Sequence, residues 1–139
     1  MISSKLITVL LADDHAIVRQ GISGLLNTDG HFKIVGEART GREAVELALA
    51  LRPSVILMDI AMPVLNGLEA TRQILAANPS AKIVILSAHS DDEYIERLCS
   101  AGVVGFLEKQ TSAEILTKAL REVARGQLFF SPSIAKRLH

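Results

Sequence analysis

Charged and hydroxyl side chains follow four short apolar runs of this chain, and as a set they suit phosphoryl chemistry. In chain order the runs are followed by Asp13 and Asp14, by Asp59, by Ser87, and by Glu108 and Lys109. Clustered carboxylates repel one another, and a hard divalent cation such as Mg²⁺ relieves that repulsion through oxygen ligands. A carboxylate can attack phosphorus while a cation and an ammonium group neutralise the oxygens of the transition state. The set therefore predicts an aspartyl-phosphate site.

Position within the set suggests a role for each side chain. Asp59 stands alone at the end of the central run, which makes it the candidate nucleophile, whereas the adjacent pair Asp13 and Asp14 is better placed to hold a cation. The hydroxyl of Ser87 can donate to an added phosphoryl oxygen, and the ammonium of Lys109 can pair with it. A polar loop is the simpler explanation for any one residue alone, so it is the combination that indicates a site.

The chain alternates between short β-branched runs and longer segments with helical spacing of apolar residues. The predicted strands are Ile7–Ala12, Ile34–Ala38, Val55–Met58, Ile83–Leu86 and Val103–Leu107. The predicted helices are His15–Asn27, Arg42–Leu51, Leu68–Ala77, Asp92–Ala101 and Ala113–Arg125. Four of the strands lack polar alternation, which is typical of strands covered on both faces. We therefore predict an α/β, doubly wound, five-stranded parallel sheet, with the carboxyl ends of the strands at one edge.

Composition is typical of a single globular domain and excludes several classes. The 139 residues carry 15 Lys+Arg against 15 Asp+Glu, so no basic excess favours direct nucleic-acid or membrane binding. The apolar runs are too short to span a bilayer, and residues 1–12 lead into an acidic pair, not a signal-peptide cleavage site. The single cysteine, Cys99, excludes an intramolecular disulfide and favours a reducing compartment, so we expect a cytoplasmic protein.

Several motifs in order resemble the receiver domain of bacterial two-component response regulators over residues 5–126. They are LLADDHAIVRQGI, ILMDIAMPVLNGLEATRQI, IVILSAHSDD and GVVGFLEK. The segments ADDHAIVRQGI, AxxGREAVELA and GQLFFSPSIAKRL are similar to the NarL/FixJ subfamily, which carries a LuxR-type output domain. The resemblance implies a flavodoxin-like (βα)5 fold with strand order 2-1-3-4-5.

The resemblance also implies how a phosphoryl group is received. Asp59 resembles the phospho-acceptor, which is supplied by a partner histidine kinase in a Mg²⁺-dependent reaction. Asp14 resembles a direct Mg²⁺ ligand and Asp13 a ligand that acts through water, while Asp59 and the backbone carbonyl of Ala61 complete the protein ligands. The chain would catalyse only its own phosphorylation and dephosphorylation, so it is not expected to be an enzyme in the usual sense.

Three further positions resemble the machinery of a conformational switch. Ser87 resembles the switch hydroxyl, Lys109 the phosphate-pairing lysine and Phe106 the switch aromatic residue, although Phe106 is equally explained as a core aromatic. Ser87 replaces the commoner threonine, and Phe106 lacks a tyrosine hydroxyl. Gln110 follows Lys109 where many receivers have proline, so a cis bond is not assumed there. We expect phosphorylation to change conformation or dimerisation.

Residues 1–126 are predicted to form the receiver, and residues 127–139 the start of a linker to a helix-turn-helix DNA-binding domain. Gly126 is a natural stop for the last helix, and Ser133–His139 can begin a short helix that has nothing of its own to pack on. The expected partners are a histidine kinase, the chain's own output domain with DNA bound through it, and a second copy of the chain. No membrane or direct nucleic-acid contact is expected.

Three other functions are weaker fits. A haloacid-dehalogenase-like phosphohydrolase needs a second Asp two residues after the nucleophile, where this chain has Ala61, and an inserted cap. A nucleotide-binding module needs a glycine-rich loop after the first strand, where Asp13 and Asp14 stand. A stand-alone receiver that acts by protein contacts differs from the main prediction only in the role of residues 127–139.

Two histidines near the set have both a chemical and a structural interpretation. His15 follows the acidic pair and is either a cation ligand or proton relay or, more simply, a residue that starts the first helix. His89, two residues beyond Ser87, either tunes the access of water to a phosphoryl group or is a solvated loop residue.

Overall fold

The computed structural model describes residues 6–62, 64–88 and 92–136, and strands and helices alternate along them. The strands are β1 (Ile7–Ala12), β2 (Phe32–Ala38), β3 (Val55–Asp59), β4 (Ile83–Ser87), β5 (Gly105–Glu108) and β6 (Phe129–Phe130). The helices are α1 (Ala16–Asp29), α2 (Gly41–Leu51), α3 (Gly67–Ala77), α4 (Asp92–Ala101), α5 (Ala113–Ala124) and α6 (Pro132–Ala135). Within these ranges no helix is long and apolar enough to cross a bilayer.

All strands lie in one parallel sheet with the order β2-β1-β3-β4-β5-β6. This confirms the predicted fold class and the predicted order 2-1-3-4-5, and β6 extends the sheet at the β5 edge. Because β1, β3 and β4 are neighbours, the residues that follow them emerge side by side. Such an edge of a doubly wound sheet is where ligand sites form.

Side chains of the strands alternate between two cores, one on each face of the sheet. One core joins Val9, Leu11, Val55, Leu57, Val84 and Leu86 to the buried residues of α1 and α5. The other joins Leu10, Ala12, Ile56, Met58, Ile83 and Ile85 to those of α2, α3 and α4. Each of the valine, leucine, isoleucine and methionine side chains contributes about 1.5–3 kcal/mol when fully buried. Burial on both faces explains why the strand sequences lack polar alternation.

Helix starts are fixed by capping side chains where the sequence predicted turns. Asn66 is the N-cap of α3, and its Oδ1 accepts from the backbone N–H of Glu69 at 2.9 Å. Ser112 is the N-cap of α5, and its Oγ accepts from the N–H of Ile115 at 3.2 Å. A side-chain oxygen at this position satisfies one of the unpaired donors of the first turn.

Residues 129–136 pack on the domain. The expectation that Ser133–His139 has nothing to pack on is therefore wrong up to residue 136, and residues 137–139 lie outside the described part of the chain. Phe129 and Phe130 lie beside Gly105 and Phe106 as β6. The N–H of Ser131 donates to the carbonyl of Phe106 at 3.0 Å. Ile134 is only 1% exposed and belongs to the core on the α2, α3 and α4 face. The segment covers the strand edge that β5 would otherwise leave open.

Candidate functional site

Four side chains predicted to act together lie at the carboxyl edge of the sheet. Asp59 ends β3, Ser87 ends β4, Asp13 directly follows β1 and Lys109 directly follows β5. Backbone bonds hold their places: Asp13 N–H donates to the carbonyl of Ala38 at 3.0 Å, and Lys109 N–H donates to that of Ser87 at 2.8 Å. The parallel order of the strands therefore builds the site.

Lys109 bridges the two buried aspartates. Its Nζ lies 3.2 Å from Asp13 Oδ2 and 3.3 Å from Asp59 Oδ2. The aspartate side chains are 7% and 4% exposed, and that of Lys109 is 18% exposed. Low exposure weakens solvent screening, so this ammonium is a strong electrostatic partner for negative charge at Asp59.

The negative charges of Asp13 and Asp59 are only partly balanced by the positive charge of Lys109. Burial, followed by the negative charge of Asp13, raises the pKa of Asp59, although the charge of Lys109 and the hydrogen bonds from Ala61 N–H and Lys109 act in the opposite direction. Burial works against the charge of Lys109, but the carboxylates of Asp59 and Asp13 outweigh it and raise the pKa of Lys109. One ammonium thus faces more than one carboxylate, and additional positive charge at this edge is favourable.

Four side chains offer ligand atoms for a divalent cation at the same place. Oxygen atoms of Asp13, Asp14 and Asp59 and a ring nitrogen of His15 all lie within 4.8 Å of one another. Carboxylate oxygens in a small number, with room for water, are what Mg²⁺ takes from proteins. The donor set therefore fits a hard divalent cation. The part of Ala61 as a carbonyl ligand stays a prediction.

A cavity of about 490 Å³ opens in front of Asp59. Its lining comprises His15, Asp59, Ile60, Ala61, Asn66, Ser87, Ala88, Tyr94 and Lys109. The sequence did not single out Tyr94 or Asn66 as site residues. Their positions in the sequence could have indicated a role at the site. Tyr94 lies in the first turn of α4, after the strand that ends in Ser87, and Asn66 is the N-cap of α3, after the strand that ends in Asp59.

The backbone beyond Asp59 is held tightly against the start of α3. The N–H of Gly67 donates to the carbonyl of Ile60 at 2.8 Å. A Cβ at Gly67 would lie 2.7 Å from Ile60 Cα and 2.9 Å from the Asp59 carbonyl oxygen, so only glycine allows this approach. Val64 in the same connection has a left-handed φ of 71°, which is rare for a β-branched residue. The backbones of Ile60 and Gly67, on either side of this connection, therefore lie in close contact.

Glu108 and Phe106 lie apart from the carboxylate group. Glu108 Oε1 accepts a hydrogen bond from Ser133 Oγ in α6, so the carboxylate that ends β5 faces α6. The Phe106 side chain is 0% exposed and packs in the core, and its part as a switch stays a prediction. The Lys109–Gln110 bond is trans, since the described part of the chain has no cis peptide bond. His89 lies outside the described residues.

Comparison with known proteins adds independent findings. Residues 9–121 match the family described as the response regulator receiver domain. The chain is 40% identical over 133 residues to response regulator GacA of Pseudomonas aeruginosa, which covers 96% of this chain and 62% of that protein. The chain thus spans about three fifths of the curated relatives it matches.

Solved structures share the whole fold. A two-component response regulator of the LuxR family from Aurantimonas sp. SI85-9A1 has a TM-score of 0.90 at 30% identity, covering 96% of each chain. A structure of two RcsB dimers bound to two parallel DNAs has a TM-score of 0.86 at 26% identity, covering 96% of this chain and 68% of that one. Both agree with the topology described above.

Proposed function

This chain belongs to the response regulator receiver domain family, within its NarL/FixJ branch, and from that premise we propose that Asp59 accepts a phosphoryl group from a partner histidine kinase in a Mg²⁺-dependent reaction. Receiver domains of this kind are signalling proteins of two-component systems. The observation that carries the proposal is the position of Asp59, which faces an open cavity, a buried lysine and a group of cation-binding carboxylates together.

The chemistry follows from the charges around Asp59. A carboxylate oxygen of Asp59 forms a bond to phosphorus as the bond from phosphorus to the donor histidine nitrogen breaks, and the electron pair of that bond stays on the nitrogen. A Mg²⁺ ion held by Asp13, Asp14 and Asp59 supplies neutralising charge for the phosphoryl oxygens when it is bound. Lys109, already 3.3 Å from Asp59, supplies the second positive charge without having to move far.

The switch is proposed to begin with new partners for the added phosphoryl oxygens. Lys109 exchanges its contacts with Asp13 and Asp59 for a contact to the phosphoryl group, and the hydroxyl of Ser87 donates to the same group. Phe106, on β5 between β4 and β6, then repacks. Phosphorylation is thus a local charge change that biases a packed face of the domain.

The output is proposed to lie beyond the receiver. We assign residues 1–126 to the receiver and residues 127–139 to the start of a linker that leads to a helix-turn-helix DNA-binding domain. Support comes from the LuxR-family structure and from RcsB, which binds DNA as a dimer. Phosphorylation then acts through dimerisation or release of that domain. The cytoplasm, a reducing compartment, suits the free thiol of Cys99.

Intact-mass spectrometry after incubation with acetyl phosphate tests this function. We expect one phosphoryl adduct that requires Mg²⁺ and is absent from Asp59→Asn. The exposed-residue variant Glu46→Gln serves as the matched control and should be modified like the wild type. An adduct of equal yield in Asp59→Asn, or none on the wild-type chain under any cation, would contradict the proposal.

A further inference from the structure

His15 is a residue at the site that the proposed chemistry does not use. It is the N-cap of α1, with φ −94° and ψ 108°, yet its side chain makes no capping hydrogen bond. The simpler interpretation of His15 was a residue that starts the first helix. In the structure only its backbone has that role. Instead the imidazole turns toward the acidic pair and lines the cavity in front of Asp59.

Two distances at the imidazole match the spacing of neighbouring ligands around a metal ion. His15 Nδ1 lies 2.9 Å from Asp13 Oδ1 and 3.1 Å from Asp14 Oδ1. In an octahedral site with bonds of about 2.1 Å, neighbouring ligand atoms lie about 3 Å apart. The backbone N–H of His15 also donates to Asp13 Oδ1 at 2.9 Å, which holds this carboxylate close to the residue that carries the imidazole.

We propose that His15 is a nitrogen ligand in the cation site, and that it gives this site a preference for a first-row transition metal such as Mn²⁺ beyond that of an all-oxygen site. The proposal rests on the cation site of the proposed function. Imidazole binds Mn²⁺ and the later divalent metals more readily than Mg²⁺, which prefers oxygen ligands and keeps its waters. On coordination Nδ1 gives up any proton it carries to solvent, and its lone pair binds the metal.

The structure supplies a matched control for this histidine. His31 Nδ1 lies 2.8 Å from Asp29 Oδ1, also two residues earlier in the chain, and its side chain is 63% exposed compared with 60% for His15. Asp29, however, is bonded to Arg121 at 2.7 Å and lies away from the acidic group. His31→Ala therefore removes an equivalent Asp–His contact without touching the cation site.

Pulsed electron paramagnetic resonance of Mn²⁺ bound to the untagged chain tests the proposal, because nitrogen coupling reports an imidazole ligand directly. We expect the coupling in the wild type and in His31→Ala and its loss in His15→Ala. Equilibrium titration should show at least about a tenfold loss of Mn²⁺ affinity in His15→Ala, with a much smaller change for Mg²⁺.

Different outcomes separate this inference from the proposed function. If His15→Ala keeps the nitrogen coupling, or loses Mn²⁺ and Mg²⁺ affinity equally, His15 is not a selective ligand and the inference is overturned. Tighter binding of both cations by His15→Ala also overturns it, since His15 then competes with the metal for the carboxylates. Failure of the wild type to bind either cation contradicts the proposed function as well.

Discussion

Asp59 lies where burial and a neighbouring carboxylate both disfavour its charged form. Its side chain is 4% exposed, and burial together with the charge of Asp13 raises its pKa. Lys109 offsets this only in part. Ionised Asp59 is therefore costly to the folded state until a cation neutralises part of the local negative charge.

Asp59→Asn should raise the thermal midpoint at pH 7 in cation-free buffer. The raised pKa of Asp59 means that the folded chain binds a proton more tightly than the unfolded chain, so ionised Asp59 reduces stability above that pKa. The gain should shrink as the pH falls through the raised pKa and vanish below the ordinary value of 3.8. Thermal circular dichroism across pH measures this, with Glu46→Gln as the neutral control. A lower midpoint for Asp59→Asn at pH 7 contradicts the prediction.

Lys109→Ala should slow adduct formation from acetyl phosphate by roughly a hundredfold, the usual cost of removing one preorganised positive or hydrogen-bonding partner. Without Lys109 the negative charge of the transition state has one positive partner fewer. The pKa of Asp59 is also raised further, because the ammonium no longer lowers it. Time-resolved intact-mass spectrometry gives the rate. The exposed lysine variant Lys118→Ala should match the wild type, and a wild-type rate in Lys109→Ala would exclude the proposed role.

At the scale of elements, β6 and α6 join the far end of the chain to β5, next to the site. Phe130 pairs with Phe106, and Glu108 accepts from Ser133 of α6. Ile134 inserts into the same core as Phe106. Residues 129–134 are therefore in contact with the strand that precedes Lys109.

Ile134→Ala should cost about 2–5 kcal/mol of unfolding free energy, because the side chain is 1% exposed and its loss leaves a cavity. Urea denaturation monitored by circular dichroism measures the change. Lys136→Ala, at an exposed position of the same segment, should change stability by less than about 0.5 kcal/mol. Equal stabilities for the two variants would mean that the segment does not dock on the receiver.

The elements that the sequence predicted best are those with a continuous apolar run or clear helical spacing. The bounds of β1, α2, α3 and α4 agree with prediction to within a residue or two, since their apolar spacing is unambiguous. β5 starts later than predicted because Gly102 has a φ of 112° and Val103 N–H bonds back to Leu98, which makes Val103 part of a turn. β6 was missed because two residues carry no period.

The site residues that lie at the ends of strands could be predicted from the sequence. Asp13, Asp59 and Lys109 are in contact as expected, since parallel neighbours end at one edge. Glu108 could not be separated from them by sequence, because its direction depends on the docking of α6. The orientation of His15 was likewise undetermined, since side-chain direction at an N-cap depends on tertiary contacts.

At the scale of the whole molecule, any cation that the acidic group binds is coupled to folding. The acidic group is assembled from β1 and β3, which are distant in sequence, so it exists only in the folded chain. A ligand that binds only the folded state stabilises it by mass action. The overall charge is neutral, with 15 residues of each sign, so a cation is drawn to local acidic groups such as this one and not to the net charge.

Mg²⁺ should therefore stabilise the wild type by about 2.7 kcal/mol when its concentration is a hundred times the dissociation constant. Urea titrations at several Mg²⁺ concentrations measure this dependence. Asp14→Asn should lose most of the effect, because Asp14 is a member of the acidic group and no partner of Lys109. A Mg²⁺ dependence in Asp14→Asn equal to that of the wild type would place the cation elsewhere.

Borohydride trapping tests Asp59 as the acceptor most directly, because it distinguishes Asp59 from its acidic neighbours. Borohydride reduces an aspartyl phosphate to homoserine, and peptide mass spectrometry locates the altered residue. After treatment with acetyl phosphate and Mg²⁺, homoserine is expected at residue 59 alone, and none is expected when Mg²⁺ is removed. Homoserine at residue 13 or 14, or an unaltered residue 59 in a chain that carries the phosphoryl adduct, would contradict the assignment.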